Sequence, residues 1–174
     1  QESSEVADFW NMLQGFQTSG KCIDKAHYHI RYLKSFRPLS AKEDIEFMEA
    51  RPVLYLNMAA VASLFNSRNM NATANRSNWS TIMSYLKSHS SYLGLKQDRF
   101  TILLPSGLPD YTIEIANGEQ VRKVKVNRPK ALCFDYLQLK DAFGLDLETE
   151  MVTDMSEALE NEERISDTAK KDLV

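Results

Sequence analysis

The chain has 174 residues, 43% of them hydrophobic and 26% charged, which is ordinary for a soluble globular domain with one core. No apolar run approaches the roughly 20 residues of a membrane helix, and the first residues lack the basic and apolar regions of a signal peptide, so we predict a cytoplasmic protein without a membrane partner. The net charge of −3 is divided unevenly: residues 141–174 carry eleven acids and three bases, whereas residues 68–130 carry ten bases and four acids.

The first half of the chain shows helical and strand patterns in turn. A helix is predicted over residues 3–18 and a strand over residues 27–36, followed by a second, buried strand after Pro52. Asn57 is a suitable N-cap for another helix over residues 58–67. The two cysteines stand beside apolar residues and are too few for a disulfide scaffold, so we expect buried thiols.

The second half begins with a polar loop over residues 68–77. A helix over residues 78–88 follows, with apolar residues at positions i, i+3, i+4 and i+7. Strands are then predicted over residues 99–104, 111–116, 120–126 and 131–134. Asn117-Gly118 is typical of a two-residue hairpin turn, and a last short helix is predicted over residues 135–143.

These elements predict an α+β fold. The order helix, loop, helix and β-hairpin is that of a winged-helix domain, in which the second helix enters the major groove and the hairpin follows the backbone. We assign residues 1–150 to such a winged-helix-like domain and residues 151–174 to an acidic C-terminal helix or tail, with a helix favoured over residues 153–163. The loop over residues 68–77 is longer than the usual turn of this module.

The sequence contains no motif of a catalytic or cofactor-binding site. A glycine-rich phosphate loop, a nucleophile elbow and a zinc-binding HExxH helix do not occur. His27 and His29 would share one face of a strand, but no third metal ligand accompanies them. We therefore predict a chain that is not an enzyme and has no metal site, no cofactor and no small-molecule substrate.

Basic and hydroxyl side chains concentrate in the predicted helix–loop–helix and hairpin. Hydroxyls and amides at a helix N-terminus are typical phosphate ligands, and each lysine or arginine would add a salt-dependent contact. The predicted DNA-binding residues are Arg76, Ser77, Asn78, Ser80, Thr81, Ser84, Lys87, Lys96, Arg122, Lys123 and Lys125. The acidic tail would compete with DNA for this surface.

Two other interpretations remain open. A basic strand is often only a solvated edge on which lysines prevent unwanted pairing, so a protein-interaction module without direct DNA contact is the main alternative. Sequons begin at Asn71, Asn75 and Asn78 and would suit a secreted glycoprotein. Because no signal peptide is predicted, we interpret these residues as turn formers and helix caps.

Several blocks of the sequence resemble a known group of proteins. They are FWNMLQGFQTSGK, ARPVLYLNMAAVASLFNSR, STIMSYLKSHSSYLGLKQDRFTI and KALCFDYLQLKDAFGLDLETE. Together, over about residues 8–150, they are similar to the C-terminal region of primase/helicase-like ATPase proteins from mobile elements of Bacteroides-type bacteria. Since the ATPase motifs of that group lie upstream and do not occur here, the resemblance implies an accessory domain. It implies a role in mobile-element replication, with DNA and an upstream ATPase domain or another replication protein as partners.

Overall fold

The computed structural model describes residues 2–70, 77–150 and 152–153. Within these ranges the chain forms an α+β fold, as predicted, with four helices, an antiparallel four-stranded sheet and two smaller two-stranded ladders. The helices are α1 (Glu2–Thr18), α2 (Met58–Met70), α3 (Trp79–Ser88) and α4 (Tyr136–Phe143). The strands are β1 (Tyr28–Phe36), β2 (Ile45–Asn57), β3 (Tyr92–Gln97), β4 (Phe100–Thr101), β5 (Tyr111–Ala116), β6 (Glu119–Val124), β7 (Val126–Asn127), β8 (Lys130–Asp135) and β9 (Val152–Thr153).

The main sheet has the strand order β3-β8-β2-β1, and each neighbouring pair is antiparallel. β9 extends it by a two-residue parallel pairing on the outer edge of β1. Gln97, at the end of β3, pairs with Lys130, at the start of β8. Residues 98–129, named here the inserted segment, therefore leave and re-enter the sheet at the same end, which we call the insertion end.

Alternate side chains of the strands point to opposite faces of the sheet and build two apolar clusters. The larger cluster lies under the helices, which all pack on one face, and its sheet residues are Tyr28, Ile30, Leu54, Leu56, Leu132 and Phe134. The smaller cluster, on the other face, consists of Phe36, Val53, Tyr55, Phe100, Ala131 and Cys133. Because Phe100 belongs to the inserted segment, that segment covers part of the face that the helices leave open.

Helix α1 joins the sheet to the other helices through its aromatic side chains. The Trp10 ring meets Phe134 of β8 edge-on with a centroid distance of 5.0 Å, and the Phe9 ring lies 6.1 Å from that of Trp79 in α3. Burial of large aromatic rings is a dominant source of hydrophobic stabilisation. The apolar spacing that predicts α1 is thus the same feature that fixes its position.

The cysteines and most elements of the first half agree with the sequence prediction. Cys22 and Cys133 are buried free thiols, and burial raises the pKa of Cys22 to about 12. The strand predicted only after Pro52 is longer, because β2 starts at Ile45 and passes through the proline. The first half of β2 pairs with β1 alone, so a residue without an amide N–H is accommodated beside the unpaired edge.

The strands of the second half differ more from the prediction. The sequence predicts no strand between residues 88 and 99, yet β3 lies there and passes through Gly94 at a bulge with a φ of 141°. The strand predicted over residues 99–104 shrinks to β4, and the one predicted over residues 120–126 is divided into β6 and β7. The hairpin turn is confirmed, since Asn117 and Gly118 have φ angles of 54° and 78°, both positive as the type I′ turn requires.

The structure gives no support to the narrower prediction of a winged-helix domain. α2, α3 and the β5–β6 hairpin follow one another as predicted, but β3 and β8 are parts of the main sheet. Residues 71–76 of the predicted loop lie outside the described residues. The predicted tail helix also lies outside them apart from Thr153, which belongs to β9. The predicted boundary between a domain over residues 1–150 and a tail over residues 151–174 stays a prediction.

Candidate nucleic-acid interface

The inserted segment starts from a buried ion pair. The Asp98 carboxylate accepts hydrogen bonds from Arg31 Nε and Nη2 at 2.6 and 2.9 Å, and His29 Nε2 approaches the same carboxylate to 3.2 Å. Burial alone would raise the pKa of Asp98. The contacts that His29 and Arg31 make with the carboxylate, together with the charge of Arg31, outweigh that effect and hold the Asp98 pKa well below its usual range. The segment is therefore fastened to β1 before it leaves the sheet.

Backbone hydrogen bonds fix the base of the β5–β6 hairpin. Thr101 N donates to Lys25 O at 2.8 Å, which joins β4 to the residues preceding β1. Ile102 N donates to Lys125 O, and Lys125 N donates to Asp110 O, both at 2.9 Å. Beyond this base nearly every residue of β5 and β6 is exposed. The hairpin therefore projects from a braced foot into solvent.

The register of the hairpin places Arg122 and Lys123 on opposite faces. Arg122 pairs with Ile113 and Lys123 pairs with Thr112, and successive residues of a strand alternate between faces. Two of the predicted basic residues therefore do not contribute to one continuous positive face, although they are neighbours in the sequence.

Two of the predicted lysines lie beside carboxylates. Lys123 Nζ is 3.7 Å from Glu114 Oε1, and Lys125 Nζ is 3.4 Å from Asp110 Oδ2. Exposed pairs of this kind contribute roughly 0–1 kcal/mol, so a phosphate can displace the carboxylate. Both acids nevertheless lower the local positive potential, which leaves Arg122 as the stronger cation of the hairpin.

Arg122 lies on the apolar face of the hairpin. Its guanidinium carbon is 5.2 Å from the centre of the Tyr111 ring, and the same face carries Ile113 and Ile115, which are 65% and 79% exposed. A guanidinium beside an exposed ring suits stacking on a nucleobase. Exposed aliphatic side chains in a row are also typical of protein-binding surfaces.

Three cations near the foot of the hairpin are not in the predicted set. Arg128 and Lys130 are exposed and Arg99 is half-buried, and within the described ranges none of the three forms an ion pair. The run VRKVKVNRPK, in which bases recur up to residue 130, is the sequence signal that could have included two of them.

Helix α3 presents the predicted polar residues at its outer surface and N-terminus. Ile82 and Leu86 are buried in the core, as the helical spacing predicts. Of the predicted residues, Asn78, Ser80, Ser84 and Lys87 are exposed, whereas Ser77 and Thr81 are half-buried. Asn78 is the N-cap, because its Oδ1 accepts a hydrogen bond from Thr81 N at 2.9 Å. Its side-chain oxygen is therefore already engaged with the helix.

The end of α3 and the base of the hairpin lie at opposite ends of the sheet. Asp135 N donates to Ser91 O at 2.8 Å, so the chain just after α3 lies beside the last residue of β8. The hairpin departs from the insertion end, where β8 begins. Lys87, in the last turn of α3, and Arg122 therefore belong to opposite ends of the sheet, and the structure does not bring these two predicted residues together.

Lys96 and Arg76 complete the predicted set. Lys96 Nζ donates to Arg37 O at 2.8 Å and lies 5.4 Å from the centre of the Phe36 ring. Lys96 thus ties β3 to the residues that follow β1, and it is only partly accessible. Arg76 lies outside the described residues.

Comparisons with known proteins do not add a family to this description. The chain matches no protein-family model, and no curated protein and no solved structure matches it. In the described part of the chain, no three histidine, cysteine or carboxylate side chains are grouped as metal ligands. None of the helices described combines the length and apolar character of a membrane span.

Proposed function

We propose that this chain is a non-catalytic nucleic-acid-binding accessory domain of a cytoplasmic mobile-element replication protein, as the resemblance to primase/helicase-like ATPases implies. The supporting observation is the set of cations around the hairpin. Arg122, Arg128 and Lys130 are exposed, without an ion pair among the described residues, and Tyr111 lies beside Arg122. Cations provide contacts to phosphates, and an exposed ring provides a surface on which a base stacks.

A winged-helix mode is a narrower form of this proposal. It requires one duplex to contact α3 and the hairpin at the same time. The six residues of β8 that separate the two ends correspond to about 20 Å, or roughly six base pairs at a rise of about 3.4 Å. In the winged-helix mode, Lys87→Ala and Arg122→Ala both weaken duplex binding. In the simpler mode only Arg122→Ala does.

The alternative function is a protein-interaction module. The observation that favours it is the apolar face of the hairpin, where Ile113 and Ile115 are mostly exposed. Binding through such a face would depend on buried apolar area and would respond little to salt. Ile113→Ser with Ile115→Ser would then abolish partner binding, whereas the nucleic-acid proposal expects these changes to leave binding to phosphates largely intact.

Fluorescence anisotropy with labelled single-stranded and duplex oligonucleotides tests the proposal. The test variant combines Arg122→Ala with Arg128→Ala. The control combines Lys34→Ala with Lys42→Ala, which removes the same charge from exposed positions at the far end of β1 and beyond it. We expect at least about a tenfold loss of affinity in the test variant alone, since two phosphate contacts are removed. Equal affinities of the two variants would contradict the proposed interface.

A further inference from the structure

A groove of about 540 Å³ separates α2 from the β4–β7 ladder at the insertion end of the sheet. Its deepest residues are Ala26, His27 and Asn57, which are all buried. One wall is the first three turns of α2, and the other is formed by residues 101–103 with Asn127 and Pro129. The groove therefore opens beside the cations at the foot of the hairpin.

His27 lines this groove and has one unused hydrogen-bond donor among the described residues. Its Nδ1 accepts a hydrogen bond from Ile23 N at 2.9 Å, so the ring hydrogen resides on Nε2, for which the described residues provide no partner. The residue is 8% exposed. Burial lowers the pKa of His27, against the opposing effect of the Ile23 hydrogen bond, and the ring is therefore neutral at pH 7.

Asn57 makes the floor of the groove rigid. Its Nδ2 donates to Ala26 O at 3.0 Å, its Oδ1 accepts from Ala60 N at 3.3 Å, and its backbone N donates to His27 O at 2.9 Å. The Asn57 side chain thus caps α2 and also binds Ala26, two residues before β1. A ligand would meet a preformed floor, which reduces the entropic cost of binding.

The walls combine apolar surface with a few polar groups. Ser63, Thr101 and Asn127 line the groove with polar side-chain atoms for which the described residues provide no hydrogen-bond partner. Leu64, Ile102 and Pro129 provide apolar contact, and none of the described residues that line the groove is acidic, a lysine or an arginine. Apolar walls with a small number of convergent polar groups are typical of sites for small uncharged groups.

From this arrangement we infer that the groove receives one unpaired nucleobase of a single-stranded nucleic acid. A base has apolar faces for the walls and acceptors along its edges for the His27 Nε2–H. The lack of charge among the described lining residues disfavours a phosphate or carboxylate inside the groove. Arg128 is exposed and lies in the chain between the lining residues Asn127 and Pro129, and we assign it to the phosphate of the same nucleotide as part of this inference.

This inference rests on the proposed nucleic-acid binding and adds a preference for single strands over duplexes. A base in a duplex is stacked and paired, and freeing it costs a few kcal/mol. We therefore expect tighter binding to a single strand than to a duplex of the same length. We also expect that one abasic position in a short oligonucleotide lowers its affinity, because the apolar and edge contacts of the base are lost. If these contacts match the roughly 1–3 kcal/mol per base of aromatic stacking, the loss is about 5- to 150-fold.

The test fills the groove while leaving its charge unchanged. Ser63→Phe places a ring in the groove from an exposed position of α2, and Asn66→Phe places the same ring at an exposed position of α2 outside the groove. Asn127→Ala, also exposed, is a second and milder variant. Circular dichroism and thermal unfolding establish that each variant folds. Affinities are measured by anisotropy for a mixed-sequence single strand, its abasic version and a duplex.

We expect Ser63→Phe to weaken single-strand binding at least about tenfold, to leave duplex binding unchanged, and to abolish the difference between intact and abasic strands. Asn127→Ala should act in the same direction, and Asn66→Phe should match the unmodified chain. If the unmodified chain binds DNA but Ser63→Phe and Asn127→Ala bind single strands equally well, the inference about the groove is wrong and the proposed function stands. If the unmodified chain binds neither oligonucleotide at low salt, the proposed function fails and the inference fails with it.

Discussion

The Asp98 carboxylate is held by the Arg31 guanidinium through two hydrogen bonds, at 2.6 Å from Nε and 2.9 Å from Nη2. The pair joins β1 to the first residue of the inserted segment and is largely shielded from water. The His29 ring beside it is stacked on Tyr55 and contacts the tilted ring of Phe100, at centroid distances of 4.8 and 4.7 Å. The position of the hairpin therefore depends on a charged contact between residues far apart in the sequence.

Asp98→Asn should destabilise the fold by about 3–5 kcal/mol, because it removes the carboxylate that holds the buried Arg31 guanidinium through two hydrogen bonds. Asp44→Asn is the matched control, since Asp44 pairs with Arg37 in a more exposed setting and should cost less than about 1 kcal/mol. Urea unfolding followed by circular dichroism measures both. Similar losses in the two variants would show that the buried pair does not brace the inserted segment.

Stability should fall as the pH is lowered below about 6.5. Burial lowers the pKa of both His27 and His29 in the folded chain, so the unfolded chain, with ordinary histidine pKa values near 6.5, takes up protons first. A state that binds more protons is favoured by acid. The unfolding free energy should thus decline between about pH 6.5 and 5, by at most about 1.4 kcal/mol per pH unit for each histidine.

Below about pH 4, protonation of Asp98 in the unfolded chain should add a second decline, because its folded pKa lies well below its usual range. Urea unfolding at a series of pH values measures both parts. A stability that stays constant from pH 7.5 to 5, or that rises on acidification, would contradict the burial of neutral histidines.

Gly94→Ala should destabilise β3 by roughly 1–3 kcal/mol. Gly94 has a φ of 141°, and a Cβ there would lie 2.7 Å from Pro38 Cβ. Gly15→Ala is the comparison of opposite sign. Gly15 lies inside α1 with no atom near the new Cβ, so alanine should raise stability by up to about 1 kcal/mol. Thermal unfolding measures both variants, and melting temperatures that change in the same direction would contradict this prediction.

Replacing Arg122, Lys123 and Lys125 together by alanine should weaken DNA binding and flatten its dependence on salt. The contacts of Lys123 with Glu114 and of Lys125 with Asp110 refine this expectation, because each removed lysine also frees a carboxylate. Arg122→Ala alone should lose more affinity than Lys123→Ala alone. Unchanged affinity and an unchanged salt slope in the triple variant would remove the hairpin from the interface.

Deleting residues 151–174 should tighten DNA binding, if the acidic segment competes with DNA for the basic surface. The segment after Thr153 alone carries seven acids and three bases. Because Val152 and Thr153 pair with β1, a truncation after residue 153 keeps that pairing and is the matched control for a structural effect. Weaker or equal DNA binding by both truncated chains would refute the competition.

The parts of the fold that local sequence patterns predict are those that local physics determines. Asn117-Gly118 forms the predicted turn because its two positive φ angles depend on neighbouring atoms alone. The apolar spacing of α3 likewise identifies Ile82 and Leu86 as buried. In contrast, β3 passes through Gly94. A glycine is unfavourable in a strand, and Gly94 lies in one only because β3 pairs with β8, which is distant in the sequence.

The candidate site depends on contacts that no local pattern contains. Arg31 and Asp98 are 67 residues apart, and their pairing is what places the inserted segment across the end of the sheet. His27 is notable in the sequence only as half of a possible metal pair, and its free donor becomes visible once α2 and Asn127 enclose it. The basic residues were predicted from composition, while their division between two faces follows from the strand register.

The salt dependence of single-strand binding tests the central proposal most directly. The unmodified chain and the variant with Arg122→Ala and Arg128→Ala are titrated with one labelled oligonucleotide at about 50, 100 and 200 mM salt. We predict measurable binding at low salt, a steep loss with rising salt, and a slope smaller by about 1.4 in the variant, since each contact to a single strand contributes about 0.7. No binding at low salt, or equal slopes for the two chains, would contradict a nucleic-acid interface at the hairpin end of the sheet.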